Sequence, residues 1–236
     1  MRATLSTPVH ENWAEKGVSV VTTTWNEREN IRRLVPIIRE VLRGVRHEII
    51  VIDDGSPDGT LEVARRLADI AVGKRREGQT KGLAHGMRMA KYPYLVTIDA
   101  DLENDPRLIP TLLRALSEYD VVVASRERLP RISERLASAT LGRMLGVRDV
   151  FSNFRAYKKE AVSDIEPRLG ETYGAEFLVR AKRLGFRIGK IECALLPRRK
   201  DPRIGGSITA NLKIMLALVR SLSCFLFSRI NIRTLS

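Results

Sequence analysis

Three acidic residues stand at alternate positions near the middle of the chain. Residues 96–101 read Val-Thr-Ile-Asp-Ala-Asp, and Glu103 follows two residues later. In an extended chain, residues i and i+2 point to the same side, so Asp99 and Asp101 could share one divalent cation. Carboxylate oxygens suit hard cations such as Mg²⁺ or Mn²⁺. We therefore predict a metal site at Asp99 and Asp101, although an isolated Asp-x-Asp is more often a solvated turn.

A second acidic motif lies upstream and also follows an apolar run. Residues 49–60 read Ile-Ile-Val-Ile-Asp-Asp-Gly-Ser-Pro-Asp-Gly-Thr. Both motifs have the pattern of a buried strand that ends in carboxylates. Ligands of open α/β sheets bind at the carboxyl ends of the strands. The two motifs together predict a site for a metal ion and a phosphorylated ligand, and they favour this interpretation over a solvated turn.

The elements that would position these acids alternate between strand and helix. Helical periodicity and short β-branched runs predict strands at residues 18–22, 49–52, 71–73, 94–98 and 121–124, and helices at 26–42, 60–71, 82–90 and 106–119. Further strands are predicted at 154–157 and 187–195, with a helix at 175–184. Asn26 is a candidate N-cap, and Pro36 should kink or break its helix. The alternation predicts an α/β fold with a doubly wound, mostly parallel sheet flanked by helices.

The charge of the chain points to an anionic partner. The 236 residues carry a formal net charge of +13, enough to favour nucleic acid, an anionic membrane surface or a phosphate-rich substrate. Aromatic residues make up 6% and are scattered, whereas a nucleic-acid surface would interleave them with basic residues, so we predict no nucleic-acid partner. The two cysteines, Cys193 and Cys224, form no metal or disulfide motif, which indicates a reducing compartment.

The chain divides into a tail, one large domain and an apolar end. Residues 1–16 form a loose tail without the apolar core of a signal peptide, and residues 17–207 form the α/β domain. The pattern of residues 208–236 predicts an amphipathic, apolar helix, in which the apolar run is interrupted by Lys213, Arg220 and Arg229. We expect this helix to lie in the interface of an anionic membrane, with the protein on the cytoplasmic face and peripherally attached. Packing against the protein, or a dimer seam, is the alternative.

Four segments in order resemble the polyprenyl-phosphate sugar synthases, of which dolichol-phosphate mannose synthases are the type. They read Thr23-Thr24-Trp25-Asn26-Glu27-Arg28-Glu29-Asn30-Ile31, Val51-Ile52-Asp53-Asp54-Gly55-Ser56-Pro57-Asp58-Gly59-Thr60, Lys81-Gly82-Leu83 and Asp99-Ala100-Asp101. The resemblance runs from residue 18 to about 207. It implies a GT-A (Rossmann-like) fold and metal-dependent, inverting transfer of a hexose from a nucleotide sugar, GDP-mannose or UDP-glucose, to a polyprenyl (dolichyl) phosphate. A GT-A enzyme acting on a glycolipid, a protein or a small sugar is the alternative.

The resemblance also assigns residues to roles. The nucleotide sugar would contact Thr23, Trp25, Asn26, Glu27, Asp53, Asp54, Lys81, Asp99 and Ala100. The catalytic set would be Asp101, Arg126 and Arg203, and the acceptor phosphate would meet Arg126, Arg131, Ser133, Arg203 and Ser207. The chain departs from the family pattern at Thr23, which replaces a proline, at Trp25, which replaces a tyrosine, at Glu103, which replaces a glutamine, and at Ile208, which replaces a lysine. The loop after Arg126 is also shorter than in the family.

The chemistry of such a transfer suits these residue types. A departing diphosphate gathers negative charge, which a divalent cation and an arginine such as Arg203 would stabilise. Asp99, Asp101 and Glu103 would hold the cation. A phosphate acceptor is already ionised near neutral pH, because its second pKa is about 6, so no strong general base is required. None of His10, His47 and His85 occupies a motif position that indicates a general base. That pattern favours a phosphate acceptor over a sugar hydroxyl.

Overall fold

A computed structural model describes residues 13–129, 131–163, 173–196, 215–216 and 218–219 of the chain. The predictions for residues 1–12, for Arg203 and Ser207, and for most of the C-terminal helix lie outside these residues.

The described residues form one seven-stranded sheet. Its strands are β1 (Val18–Thr24), β2 (His47–Asp53), β3 (Ile70–Gly73), β4 (Tyr94–Thr97), β5 (Val121–Arg126), β6 (Arg155–Lys158) and β7 (Ile188–Cys193). The spatial order is β3-β2-β1-β4-β6-β5-β7. All pairs are parallel except those of β6, which runs antiparallel to both β4 and β5. The predicted mostly parallel α/β sheet is confirmed.

Helices cover both faces of the sheet. They are α1 (Trp13–Lys16), α2 (Arg28–Val41), α3 (Thr60–Leu67), α4 (Gln79–Met89), α5 (Ile109–Ala115), α6 (Ile132–Ala137), α7 (Arg143–Leu145) and α8 (Tyr173–Arg183), with a π-helical turn at Ser138–Gly142 and 3₁₀ turns at Pro106–Leu108 and Lys159–Ala161. The α4, α6, α7 and α8 helices contribute to one core cluster, and α2, α3 and α5 contribute to the other. Every residue of β1 is buried, as expected for a central strand covered on both faces.

The start of α2 differs from the prediction. Asn26 is not its N-cap, because the helix begins at Arg28 and Glu27 holds the cap position. Asn26 instead has a φ of 57°, in the left-handed region that asparagine tolerates better than most residues. Pro36 does not break the helix, which runs unbroken to Val41. Pro36 lies on the exposed face, where water can satisfy the backbone carbonyl that the proline leaves without a donor.

The helix predicted at residues 60–71 is also shorter than expected. It ends at Leu67, and Ile70–Gly73 form the edge strand β3. Asp69 explains the change of direction, because its carboxylate accepts a hydrogen bond from the backbone N–H of Ile49 at 2.8 Å and its own N–H donates to the Ile49 carbonyl at 3.1 Å. These two bonds draw the chain from the helix onto the edge of β2.

The described part of the C-terminal segment contacts the domain. Leu218 is 3% exposed within the core cluster to which α4, α6, α7 and α8 contribute, and Met215 packs against that cluster. Leu216 and Val219 are exposed. Met215 and Leu218 therefore pack on the protein. The membrane-interfacial helix at residues 208–236 stays a prediction. Within the described stretches, none of the helices combines the length and the apolar composition needed to cross a bilayer.

Candidate active site

The loops after β1 and β2 are joined at the carboxyl edge of the sheet. Thr24 and Asp53, the last residues of the two strands, lie opposite each other in register. The backbone N–H of Asn26 donates to Ser56 Oγ at 2.9 Å, and that of Glu27 donates to Thr60 Oγ1 at 3.1 Å. The two motifs that the sequence singled out therefore form one structural unit.

Asp53 shapes the turn that follows it. Its Oδ2 accepts hydrogen bonds from the backbone N–H groups of Gly55 at 3.2 Å and Ser56 at 2.9 Å, and the residue is 1% exposed. Gly55 has a φ of 81°, a conformation that favours glycine. The carboxylate thus holds its own loop, and its predicted contact with the nucleotide stays a prediction.

Asp54 holds a third loop, between β3 and α4. Its carboxylate accepts hydrogen bonds from Lys74 Nζ and from the backbone N–H groups of Glu77 at 2.9 Å and Gly78 at 3.0 Å. Burial raises the pKa of Asp54, but these hydrogen bonds and the Lys74 charge outweigh it, so the pKa lies below its ordinary value. Asp54 is therefore ionised at neutral pH and fixes residues 74–78 beside the first two loops.

Trp25 lies between these loops and is half-buried. The Arg76 guanidinium stands over the indole ring, with its carbon 3.8 Å from the ring centroid. Such a cation–π contact joins the first loop to the third. Lys81, which the resemblance assigns to the nucleotide sugar, is exposed on the first turn of α4 and pairs with Glu77 at 3.0 Å. Thr23 is buried in β1, and Glu27 accepts a hydrogen bond from Asn30 at 2.6 Å.

The acids of the Asp-x-Asp motif stand in a turn and not on an extended strand. The β4 strand ends at Thr97, and Leu102 has a φ of 63°, in the left-handed region that is costly for a leucine. Asp101 Oδ1 accepts a hydrogen bond from the Glu103 N–H at 3.1 Å, and Asp99 Oδ1 accepts one from Gln79 Nε2. The strand that we predicted to end at Ile98 ends at Thr97, and Ala100 and Asp101 form a turn. A cation shared by Asp99 and Asp101 stays a prediction.

The three predicted metal ligands do not form a preassembled group. Among the described residues, no cluster of three or more His, Cys, Asp or Glu side chains has the arrangement of a metal site. Asp99, Asp101 and Glu103 are each partly exposed at the carboxyl edge, and Ala100 between the first two is buried. The Leu196 N–H donates to the Glu103 carbonyl at 2.8 Å, which ties this turn to the segment after β7.

Behind the turn lies a buried polar contact between β4 and β6. Thr97 Oγ1 donates to the Asn153 carbonyl and lies 3.2 Å from the Tyr157 hydroxyl. Complete burial raises the pKa of Tyr157, which keeps its hydroxyl neutral at physiological pH. Arg155 is 1% exposed and donates to the carbonyls of Gly174 at 2.9 Å and Val150 at 3.1 Å. Residues 153–157 therefore form a buried polar layer behind the turn.

Arg126 ends β5 and is held by two buried acids. Its Nε and Nη2 both donate to Asp149, the latter at 3.2 Å, and Nη2 also reaches Glu134 Oε1 at 3.3 Å. Arg131 Nη1 donates to the same Glu134 oxygen at 3.1 Å. Asp149 is 1% exposed and Glu134 4%. Two arginines that the sequence assigned to the acceptor phosphate are thus brought together, and Ser133 lies beside them, buried in the first turn of α6.

Four residues at this edge were not predicted from the sequence: Arg76, Gln79, Glu134 and Asp149. Arg76 contacts Trp25, Gln79 contacts Asp99, and Glu134 and Asp149 both contact Arg126. Asp149 stands five residues before the strand predicted at 154–157, and that position was the only available signal. Glu134 stands three residues after Arg131, which is the spacing of a capping box, and its Oε2 accepts a hydrogen bond from the backbone N–H of Arg131 at 3.3 Å.

Comparison with known proteins agrees with this geometry. Residues 19–165 match the family described as Glycosyl transferase family 2. The chain is 31% identical over 186 residues to a dolichol-phosphate mannosyltransferase of Pyrococcus furiosus, which covers 70% of this chain and 53% of that protein. It is 28% identical over 207 residues to a dolichyl-phosphate hexose transferase of Haloferax volcanii, covering 80% and 89%. The match thus spans about half the length of the first relative.

Solved structures identify the fold. The glucosyl-3-phosphoglycerate synthase of Mycobacterium tuberculosis, crystallised with Mn²⁺, uridine diphosphate and glucosyl-3-phosphoglycerate, superposes with a TM-score of 0.75 at 23% identity, over 90% of this chain and 81% of that chain. At this identity the likeness concerns the fold, which is GT-A. With the family match covering more than half of its residues, the chain belongs to glycosyl transferase family 2 and is a glycosyltransferase.

Proposed function

We propose that this chain transfers a hexose from a nucleotide sugar, GDP-mannose or UDP-glucose, to a polyprenyl phosphate, with inversion at the anomeric carbon. The names of the relatives from Pyrococcus furiosus and Haloferax volcanii support a lipid-phosphate acceptor. The first three loops of the carboxyl edge, with Trp25, Asp53 and Asp54, would bind the nucleotide.

One observation carries the acceptor assignment. Arg126 and Arg131 converge on a single anionic oxygen, Glu134 Oε1, at 3.3 Å and 3.1 Å. Two guanidinium groups around one oxygen form an arrangement that suits a phosphate. The site lies two strands from the end of β4, because β6 separates β4 from β5. Thr97 at the end of β4 and Val123 of β5 both pair with Arg155 of β6, and neighbouring strands lie about 4.8 Å apart, so the two strands are about 10 Å apart at this level. Arg126 lies three residues further along β5, which leaves room for a sugar between donor and acceptor phosphates.

The acids after β4 suit a divalent cation that is held partly by the protein and partly by the phosphates of the substrate. Mg²⁺ in such sites is commonly held by one or two carboxylates together with substrate phosphates and water, so a preassembled set of three acids is not required. Asp101 and Glu103 would hold Mg²⁺ or Mn²⁺ and Asp99 would support them. When bound, the cation would neutralise charge on the diphosphate. Complexes of the Mycobacterium tuberculosis synthase with Mn²⁺ or Mg²⁺ support this role.

The transfer itself is a single displacement. An oxygen of the acceptor phosphate attacks the anomeric carbon, the bond from that carbon to the diphosphate oxygen breaks, and the nucleoside diphosphate leaves with the electron pair. No proton needs to be removed from an ionised phosphate, whose second pKa is about 6. Arg126 and Arg131 would orient the nucleophile. Arg203 and Ser207, outside the described residues, remain our candidates for closing over the phosphates.

The experiment is a panel assay. The protein is incubated with radiolabelled GDP-mannose, UDP-glucose and other nucleotide sugars, with a short polyprenyl phosphate, with and without Mn²⁺, and extracted into organic solvent. We expect metal-dependent label in the organic phase with one donor. Label that appears only on an added glycolipid, protein or small sugar would contradict the proposal and favour another GT-A acceptor. We further propose that the reaction takes place at the cytoplasmic face of a membrane.

A further inference from the structure

The helical segment 132–145, formed by α6, the π turn and α7, has an unusual outward face. Its inner side places Ala137, Leu141 and Leu145 in the core. Its outer side leaves Ile132 78% exposed, Leu136 43% and Met144 40%. The outer face of a helix on a globular protein is normally polar. By comparison, the exposed face of α2 carries charged residues of both signs and Pro36.

The exposed charges around this face are mostly positive. Between residues 128 and 148, the exposed charged side chains are Arg128, Arg135, Arg143 and Arg148. Glu134 is the single acid of that stretch, and it is buried against Arg126 and Arg131. Glu127, which precedes Arg128, is an exposed acid at the margin of this stretch. Large apolar side chains among a majority of arginines are typical of helices that lie in the interface of an anionic bilayer.

The face is held beside the proposed acceptor site. Arg126 contacts Glu134 near the beginning of the segment and Asp149 just after its end. The segment therefore lies across the carboxyl edge of β5. A lipid phosphate that binds Arg126 lies at the surface of its membrane. The exposed face of segment 132–145 could contact that same membrane surface.

We propose that this docking surface, formed by the exposed side chains of Arg128, Ile132, Arg135, Leu136, Arg143 and Met144, binds an anionic lipid bilayer and delivers the acceptor lipid to Arg126. The inference rests on the proposed lipid-phosphate acceptor and assigns the membrane contact to a surface of the catalytic domain. Charge favours this occupant over a second copy of the chain. A two-fold self-contact would place arginines against arginines, which repel each other.

Vesicle flotation of the full chain tests the surface. The double variant Ile132→Ser/Leu136→Ser removes apolar area. The double variant Arg128→Gln/Arg143→Gln removes two positive charges, and neither arginine side chain forms a hydrogen bond or ion pair with another described residue. With phosphatidylglycerol-containing vesicles, each double variant should bind about tenfold more weakly, and added salt should weaken the apolar variant further. Phosphatidylcholine vesicles should bind the wild type weakly.

Two control variants match these changes elsewhere on the protein. Arg33→Gln/Arg65→Gln removes the same charge from α2 and α3, which cover the opposite face of the sheet. Leu184→Ser removes a leucine that is 49% exposed at the end of α8, near the amino-terminal edge of β7. Both controls should bind vesicles as the wild type does. Equal losses in controls and surface variants would overturn the proposal.

Transfer assays separate docking from catalysis. With a short, water-soluble polyprenyl phosphate and no lipid, the surface variants should turn over at the wild-type rate, and with a long-chain acceptor in vesicles they should be slower. If no acceptor is glycosylated but the variants still lose vesicle binding, the proposed function fails and the docking surface stands. Wild-type vesicle binding by both double variants would overturn the docking surface. The docking surface would also be overturned if the double variants changed only the oligomeric state measured by light scattering. The same holds if vesicle binding were lost only when residues after 219 are deleted.

Discussion

Arg126 and Asp149, 23 residues apart in the chain, form a forked ion pair at the carboxyl end of β5. Asp149 is almost fully buried and takes both Nε and Nη2 of the guanidinium, so the plane of Arg126 is fixed. Nη1 makes no hydrogen bond to any described residue, which leaves its two N–H groups for an anion. The arginine is thus oriented by one acid while it shares a second, Glu134, with Arg131.

Asp149→Asn should impair use of the acceptor and spare the donor. The amide cannot accept both guanidinium bonds, so Arg126 loses its fixed orientation. We expect the KM for polyprenyl phosphate to rise about tenfold, while calorimetric binding of the nucleotide is unchanged. Asp149→Ala should also lower the free energy of unfolding by about 3–5 kcal/mol, as expected when one partner of a buried ion pair is removed. An equal loss of donor and acceptor binding in Asp149→Asn would indicate a purely structural role.

Glu134→Gln should act in the opposite direction. The carboxylate occupies the position between two arginines that we assign to a phosphate oxygen, so it competes with the acceptor. Neutralising it should lower the acceptor KM about fivefold, which corresponds to about 1 kcal/mol. The comparison of acceptor KM values in Glu134→Gln and Asp149→Asn is the measurement. If both variants raise the KM, Glu134 positions the arginines and does not compete.

Asp101→Asn and Glu103→Gln should each cut transfer about a hundredfold, because a bound cation contributes several kcal/mol to the stabilisation of a departing diphosphate. Rates measured over a range of Mn²⁺ concentrations should show partial recovery at high metal. Asp99→Asn should be milder, since Asp99 also accepts a hydrogen bond from Gln79. Wild-type rates in the first two variants would remove the metal assignment.

Nucleotide binding should change the fluorescence of Trp25. The chain has two tryptophans, Trp13 and Trp25, and the ring of the second is covered by Arg76. Titration with the donor nucleotide should displace or reorder that contact. Trp13→Phe should keep the spectral change and Trp25→Phe should lose it. A signal that survives in Trp25→Phe would place the nucleotide elsewhere.

Acid stability should depend on Asp120, at the opposite edge of the sheet. Burial raises its pKa, but bonds from the Arg187 N–H at 2.8 Å and Lys158 Nζ at 3.2 Å lower it below the ordinary value of 3.8. The unfolded chain therefore takes up this proton first, and the stabilisation is present above pH 3.8 and lost as the pH falls through the folded-state pKa. Urea unfolding should show Asp120→Asn less stable than wild type at pH 7, with a smaller difference at pH 3. Exposed Glu118→Gln is the control for loss of one charge.

The strands that carry the motifs could be predicted because their signals are local. Apolar β-branched runs ending in acids identify β2 and β4, and helical periodicity identifies α2. The direction of β6 could not be predicted, since residues 154–157 have the same pattern in either orientation. The ends of elements were also misjudged: only the tertiary bonds of Asp69 explain why α3 stops at Leu67.

The sequence identified residues of the candidate site, but it did not identify the contacts that hold them in place. The motifs pointed to Asp53, Asp101 and Arg126, all of which lie at the carboxyl edge of the sheet. Their partners were missed because they come from other segments: Glu134 lies 8 residues from Arg126 and Asp149 lies 23. The left-handed Leu102 was missed for a different reason, since leucine has no preference for that conformation.

The most direct test of the proposed transfer compares two acceptors that differ by one group. The protein is incubated with the preferred labelled nucleotide sugar, Mn²⁺, and either a polyprenyl phosphate or the free polyprenol of the same length. We predict label in the organic phase with the phosphate alone, and its loss in an Asp101→Asn/Glu103→Gln variant that keeps its thermal midpoint. Equal labelling of the polyprenol, or labelling of neither lipid while a water-soluble acceptor is glycosylated, would contradict the account.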